Sequence, residues 1–269
     1  MPEQLSFQLE PAMPRPGDVA PMWPTPSADA FDSSDWIFEP TWGGHRALAF
    51  VEPGGAAGTG EVRVVDARGT DLTERLPELA GLAVRVAARS AVLDGELVVV
   101  DARGRADDDA LRERLAGRPG RPVAFLVFDL LHLDGRWLLG QPLDKRRAAL
   151  RRVLRPGDEV VVVPAITGEG LALHAAVSEQ GIAGMLARRR ASPYLPGVRS
   201  KLWRAIPASV PGEVATIARA TDAVAIGGPE IGTDVDAIPE AEGTAPVLAL
   251  FRRLPFAEDP GDQVDPPGR

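Results

Sequence analysis

The sequence predicts an α+β fold built of antiparallel sheets flanked by helices. Short β-branched runs alternate with single helical stretches. Several runs are joined by Gly-, Pro- or Asp-rich connections of hairpin length. Interleaving of this kind favours antiparallel sheets over a doubly wound parallel fold. Residues 1–27 carry prolines at 2, 11, 14, 16, 21, 24 and 26 and read as an extended arm. Strands are predicted at Ala47–Glu52 and Glu61–Asp66, with the glycines of 53–60 as their hairpin loop. That loop lacks the following helix and the lysine of a phosphate-cradling loop. Residues 72–88 mix turn and helix signals. Ala91–Asp101 is a strand, with Asp94-Gly95 open to a reading as a turn. Asp107–Asp109 opens a short helix ended by Gly117, and its carboxylates satisfy orphan N–H groups without a metal. Val123–Leu131 is a buried strand. Leu143–Leu154 is an amphipathic helix whose Lys145, Arg146, Arg147, Arg151 and Arg152, with Arg155 just beyond, read as a solvated face or as phosphate contacts. Glu159–Pro164 is a strand, Leu171–Gln180 a helix stopped by Gly181, and Ile182–Arg189 and Lys201–Ile206 are strands.

Composition removes whole classes of chemistry. Among 269 residues there is no cysteine, which excludes disulfides, thiolate catalysis and Cys-ligated metal. His45, His132 and His174 are far apart in sequence. Only Lys145 and Lys201 are lysines, so a lysine nucleophile has two candidates. No run of about 18 apolar residues occurs, so no membrane helix is expected. The charged, proline-bearing N-terminus does not read as a signal peptide, and a cytoplasmic, nucleoid-associated location is the expectation. The net charge of -8 is concentrated late: residues 207–269 hold 11 acidic and 4 basic residues. The expected organisation is an arm (1–27), a main domain (28–206), a short remnant (207–256) with strands at Val214–Ala218, Ala223–Ile226 and Val247–Arg252, and a disordered acidic tail (257–269).

Four ordered segments carry more. Trp36–Phe50 reads WIFEPTWGGHRALAF. Leu93–Val100 reads LDGELVVV. Phe125–Leu131 reads FLVFDLL and leads into an Arg-Arg helix. Gly181–Arg204 reads GIAGMLARRRASPYLPGVRSKLWR. Together, over about residues 20 to 206, they resemble the adenylation domain of bacterial ATP-dependent DNA ligases of the end-joining type. The resemblance implies a nucleotidyltransferase domain with two antiparallel sheets around a nucleotide cleft, ATP and Mg as cofactors, and DNA or a DNA-repair protein as partner. It implies a lysine that attacks the α-phosphate of ATP and carries AMP to a DNA 5′-phosphate. After residue 206, too little chain follows for the complete oligonucleotide-binding barrel of that family.

Set against the family pattern, the nucleophile position is Thr41, the motif aspartate is Gly43, and the fourth-motif glutamate is Ala183. The later motif lysine is Arg188. The fifth-motif lysines fall on Ala205 and Pro207, with Arg204 a partial substitute. Ala67 stands at an arginine position that a one-residue slip returns to Arg68. Threonine has no evident base beside it, and arginine stays protonated where a nucleophile must not. What the resemblance retains is Glu39 facing the adenine, Arg46, Glu96 as the third-motif carboxylate and remaining metal ligand, and Phe128 beside the base. Each also has a structural reading: Phe128 as core, Glu39 with Arg46 as a fold-stabilising pair. The expectation is a degenerate ligase-family protein, unable to form lysine–AMP, with a binding or scaffolding role. Two alternatives stand beside it. One is an active ligase or nucleotidyltransferase with relocated residues. The other is a protein-interaction module that binds neither nucleotide nor DNA, its cleft filled by Trp42, His45 and Met185.

Overall fold

A computed structural model describes residues 13–209 apart from 53, 55–59 and 102–104. The strand and tail expectations placed on residues 210–269 lie outside the described residues. Among the described residues, eleven strands form two sheets. Sheet A has the order β1-β11-β10-β2-β9, from β1 (Trp23–Pro26), β2 (Ser33–Thr41), β9 (Ile166–Gly168), β10 (Gly184–Arg189) and β11 (Arg199–Pro207). Sheet B has the order β4-β3-β5-β6-β7, from β3 (His45–Glu52), β4 (Glu61–Asp66), β5 (Ala91–Val98), β6 (Ala124–Leu133) and β7 (Arg136–Trp137), with β8 (Val160–Val162) also on β6. Among the described residues neither sheet closes into a barrel.

Alternation along the strands builds two cores. On β3, Leu48 and Phe50 join Leu126, Phe128, Trp203 and Ile206 in one buried cluster. Ala47, Ala49 and Val51 turn the other way, into a cluster with Leu79, Leu82, Leu150 and Val153. The latter leucines and valine come from a 3-10 turn (Pro77–Gly81), α1 (Leu82–Arg85) and α3 (Leu143–Val153). α2 (Asp108–Leu115) starts as the sequence predicts, with the Asp107 carboxylate accepting from Ala110 N at 2.9 Å. α4 (Gly170–Glu179) packs Leu173 and Val177 beside Phe38 and Met185.

The structure corrects several sequence expectations. The sheets are mixed: β1 runs parallel to β11 and β8 parallel to β6. The second follows from chain path, because α3 carries the chain back over the sheet as a crossover. The end of the proline-rich arm enters sheet A as β1, where Pro24 and Pro26 sit on an edge that tolerates a missing N–H. Asp94-Gly95 is no turn; both residues are buried in the middle of β5, between β3 and β6. The arginine face of α3 is not wholly solvated, since Arg146 and Arg147 are buried while Lys145, Arg151 and Arg152 are exposed.

Gly95 lies where β6 comes closest. A Cβ there would stand 2.4 Å from the Leu126 carbonyl oxygen and 2.7 Å from the Phe125 ring. Gly95→Ala is therefore expected to destabilise the domain by about 1–3 kcal/mol through overpacking, read as a lower urea midpoint with an unchanged slope.

Candidate functional site

The sheets face each other across a small cleft lined by Trp23 and Pro24 of β1, Thr41, Gly43 and Gly44 after β2, Arg46, Glu96, Phe128, Leu186 and Ala205. Glu96 is its chemical centre. One oxygen accepts from Trp42 N at 3.0 Å; the other accepts from Thr41 Oγ1 at 3.0 Å and Gly44 N at 3.2 Å. Burial pushes the Glu96 carboxyl above its usual range, against the pull of those three donors. Thr41 Oγ1 in turn accepts from Gly43 N at 3.3 Å. The sequence reading left Thr41 without a base; the fold brings Glu96 to it from 55 residues away. Gly43 adopts a left-handed backbone (φ +72°), and a Cβ on it would come within 3.3 Å of the Ala183 Cβ. The two positions where the resemblance expects carboxylates are thus neighbours, and both residues are small and neutral.

Arg46 does not pair with Glu39. Its guanidinium forks onto Asp94 at 2.6 and 2.7 Å, and Tyr194 donates to the same carboxylate at 2.7 Å. Tyr194 also accepts from Met22 N, so this knot ties the arm to the sheet. Burial alone would lower the Arg46 pKa and Asp94 raises it further, so the cation is permanent. Its charge is cancelled by Asp94, and its face lies 4.4 Å from the Phe128 ring centre.

Glu39 belongs to a second, fully buried network below the cleft. Arg188 reaches it through Nε at 2.6 Å and Nη2 at 2.8 Å, and Arg147 also pairs with it. Arg188 extends to Asp129 at 3.0 Å, which Arg146 grips with two bonds at 2.8 and 2.9 Å. Burial would raise the Asp129 carboxyl, but Arg146 and Arg188 overcome it and hold it below the usual range. Arg188 also lies over the Phe128 and Trp203 rings, at 5.0 and 4.8 Å.

The predicted site residues therefore separate. Thr41, Gly43, Arg46, Glu96 and Phe128 meet at the cleft, and Ala183 abuts Gly43. Glu39 and Arg188 do not line it; ion pairing saturates both. Arg204 points to the opposite face of sheet A, because side chains alternate along β11, and its guanidinium packs on Phe31 and Trp36. Phe128 serves both readings: it is buried core and also cleft wall. Trp42, His45 and Met185 do not line the cleft either. His45 is turned toward Asp66, and Met185 packs beside α4. Asp94, Asp129 and Tyr194 escaped sequence reading, since each sits in a stretch that reads as strand or loop. For Asp94 and Asp129 the signal was a charge inside an apolar run, and for Tyr194 there was none.

These residues do not fit a metal. Glu96 is the one carboxylate on the cleft wall, its oxygens already engaged, and no cluster of three potential ligands exists among the described residues. The cavity is about 60 Å³, against roughly 300–1,000 Å³ for small-molecule sites. Lys145 and Lys201 are exposed and line no part of it.

Residues 25–206 match the family model described as ATP dependent DNA ligase domain. The multifunctional non-homologous end joining DNA repair protein LigD of Mycobacterium tuberculosis is 38% identical over 187 residues, covering 69% of this chain and 23% of LigD. LigD of Mycolicibacterium smegmatis is 33% identical over 190 residues, covering 70% and 24%. A solved structure of mycobacterial DNA ligase D complexed with ATP and MES superposes with a TM-score of 0.61 at 34% identity, over 70% of this chain and 60% of that one. The chain thus spans about a quarter of the length of these LigD relatives. Among its described residues, no helix is long and apolar enough to cross a membrane.

Glu39→Gln is expected to cost about 3–5 kcal/mol, because it leaves buried arginine charge uncompensated. Asp129 sets an acid limit. Its folded pKa lies below its unfolded one, so its stabilisation is complete above the ordinary aspartate range near pH ~4 and drains as pH falls toward the folded value. In denaturant titrations across pH, Asp129→Asn should be less stable at neutral pH and lose the part of the acid slope that Asp129 supplies.

Proposed function

The chain belongs to the ATP-dependent DNA ligase family, and on that premise we propose that it is a ligase-fold domain that no longer forms lysine–AMP and acts by binding. The observation that carries the reading is Thr41. It stands at the nucleophile position with its hydroxyl bonded to Glu96, and no lysine lines the cleft. The lack of carboxylates at the neighbouring positions Gly43 and Ala183 supports it, because Mg would have no ligands there to neutralise phosphate charge. The cancelled charge of Arg46 supports it too: the cleft wall keeps one uncompensated group, Glu96, of the wrong sign for a triphosphate.

The small cavity favours the stricter form of this reading, in which the domain binds neither ATP nor Mg. Its role is then scaffolding in the lineage of end-joining repair, with DNA or a DNA-repair protein as partner. The cleft is narrowed by Phe128 and the ring-stacked Arg46, not by Trp42, His45 and Met185. One observation keeps an active reading open to test. Thr41 and Glu96 form a hydroxyl–carboxylate pair of nucleophile-and-base type. An AMP ester on threonine would survive acid, whereas a lysine phosphoramidate would not.

Incubation of the purified chain with α-labelled ATP and Mg, followed by a denaturing gel, is expected to give no labelled band. An acid-labile band would establish lysine adenylation and an acid-stable band adenylation of Thr41; either overturns the proposal. Calorimetric titration with ATP should be flat, and micromolar binding would remove the stricter form.

A further inference from the structure

The charge that the cleft lacks is concentrated elsewhere. No Asp or Glu lies between Glu179 and Glu213, whereas Arg188, Arg189, Arg190, Arg199, Lys201 and Arg204 do, in a chain whose net charge is -8. This stretch is the β10–β11 hairpin. Two of the six cations are accounted for: Arg188 by Glu39 and Asp129, Arg190 by Asp144. The other four, Arg189, Arg199, Lys201 and Arg204, have no salt bridge to any described residue. Arg189, Arg199 and Lys201 are exposed. Arg199 donates to the Pro24 carbonyl, and Arg204 is steadied by the rings of Phe31 and Trp36, contacts that position a guanidinium without cancelling its charge.

The chain itself supplies the opposite charge. Residues 210–269 come after the hairpin and hold 11 acidic residues against four arginines. Within them, residues 220–251 carry Asp222, Glu230, Asp234, Asp236, Glu240 and Glu242 and no Lys or Arg. The described chain leaves β11 at Ser209, whose N–H bonds Ser178 Oγ. The 13 residues from there to Asp222 reach at most about 45 Å. A nine-residue strand is only about 30 Å long. A tethered partner also enjoys an effective concentration in the millimolar range, which compensates for weak individual contacts between exposed charges.

We infer that the basic β10–β11 hairpin is the docking surface of the chain's own acidic segment, residues 210–269. A polyanion approaching the hairpin then meets it in competition with that segment, and the contact weakens with salt, as exposed charge pairs do.

The two lysines make this testable in the full chain. A carbodiimide joins an amine to a carboxylate at zero length. Lys201 is on the hairpin, and Lys145, exposed on α3, is the internal control. Peptide mass spectrometry after coupling at low salt should find Lys201 joined to carboxylates of residues 213–265, several-fold more than Lys145, with the yield falling at about 0.5 M salt. A mixture of isotope-labelled and unlabelled protein should give same-chain links. Equal yields at the two lysines, no Lys201 link to the segment, or mixed-label links throughout, which would mean a second copy as occupant, would each overturn the inference. Replacing the exposed Arg189 and Arg199 with Glu should lower the Lys201 yield without changing the urea midpoint by more than a small amount. A yield unaffected by the double substitution also counts against it.

Discussion

Both sheets are held to one another by a buried knot of charge: Arg146, Arg147 and Arg188 around Glu39 and Asp129. Each ion alone would cost several kcal/mol to bury, so the five exist only as a set. Three cations face two anions, and the surplus charge is met by carbonyl oxygens. Arg147 donates to Val163 O, Arg188 to Phe128 O, and Arg146 to Gln141 O and Ser192 O. Because Glu39 comes from sheet A and Asp129 from sheet B, the Arg188 fork that spans them fixes the spacing of the sheets as well as their register. A hydrophobic filling of equal volume would not specify that spacing so narrowly. The specificity is obtained by geometry, since a guanidinium serves two carboxylates only in one plane.

The cleft above the knot inherits this spacing. Phe128 is held from below by Arg188 and stacked from above by Arg46, and Arg46 is fixed by Asp94 and Tyr194. On this side of the cleft, Arg46 cannot retreat without unpairing a buried charge. What remains between the walls is a 60 Å³ cavity with a single uncancelled carboxylate. The departures from the family pattern are therefore coherent. With glycine at 43 and alanine at 183, two neighbouring positions offer no side-chain oxygen to a cation. Once a lysine is absent at 41, Thr41 and two backbone N–H groups satisfy Glu96 in its place.

Much of the fold was legible because periodicity reports burial. The β3–β4 hairpin, β5, α2, α3 and α4 follow alternation, capping and stop signals that act locally. β2 was not marked as a strand, because SSDWIFEPT opens polar and ends in proline; it forms because β10 offers it a complete ladder. The parallel pairings were invisible for the same reason, since they join segments far apart in the chain. At the site, motif order points to Glu96, Arg46 and Phe128, which the fold gathers at one cleft, and to Glu39 and Arg204, whose side chains pair elsewhere. Motif spacing says which strand a residue occupies. It does not say which partner claims its charge, and for Glu39 that partner is 149 residues away.

Arginine and lysine are the final discriminator. A genome that exchanges lysine for arginine leaves most surface charge unaltered, and 28 arginines against two lysines look like such drift. Position 188 shows the exchange becoming structural: a lysine would offer one point charge to Glu39 and Asp129, whereas Arg188 bonds both at once and stacks on two rings. Position 41 shows the opposite. There the family reaction requires an amine that can shed its proton, which arginine cannot do, and the residue present is neither. Drift toward arginine explains the first substitution and cannot explain the second. Threonine at 41 therefore has a cause other than that drift, and the buried charge network that carries the fold stands without a lysine there.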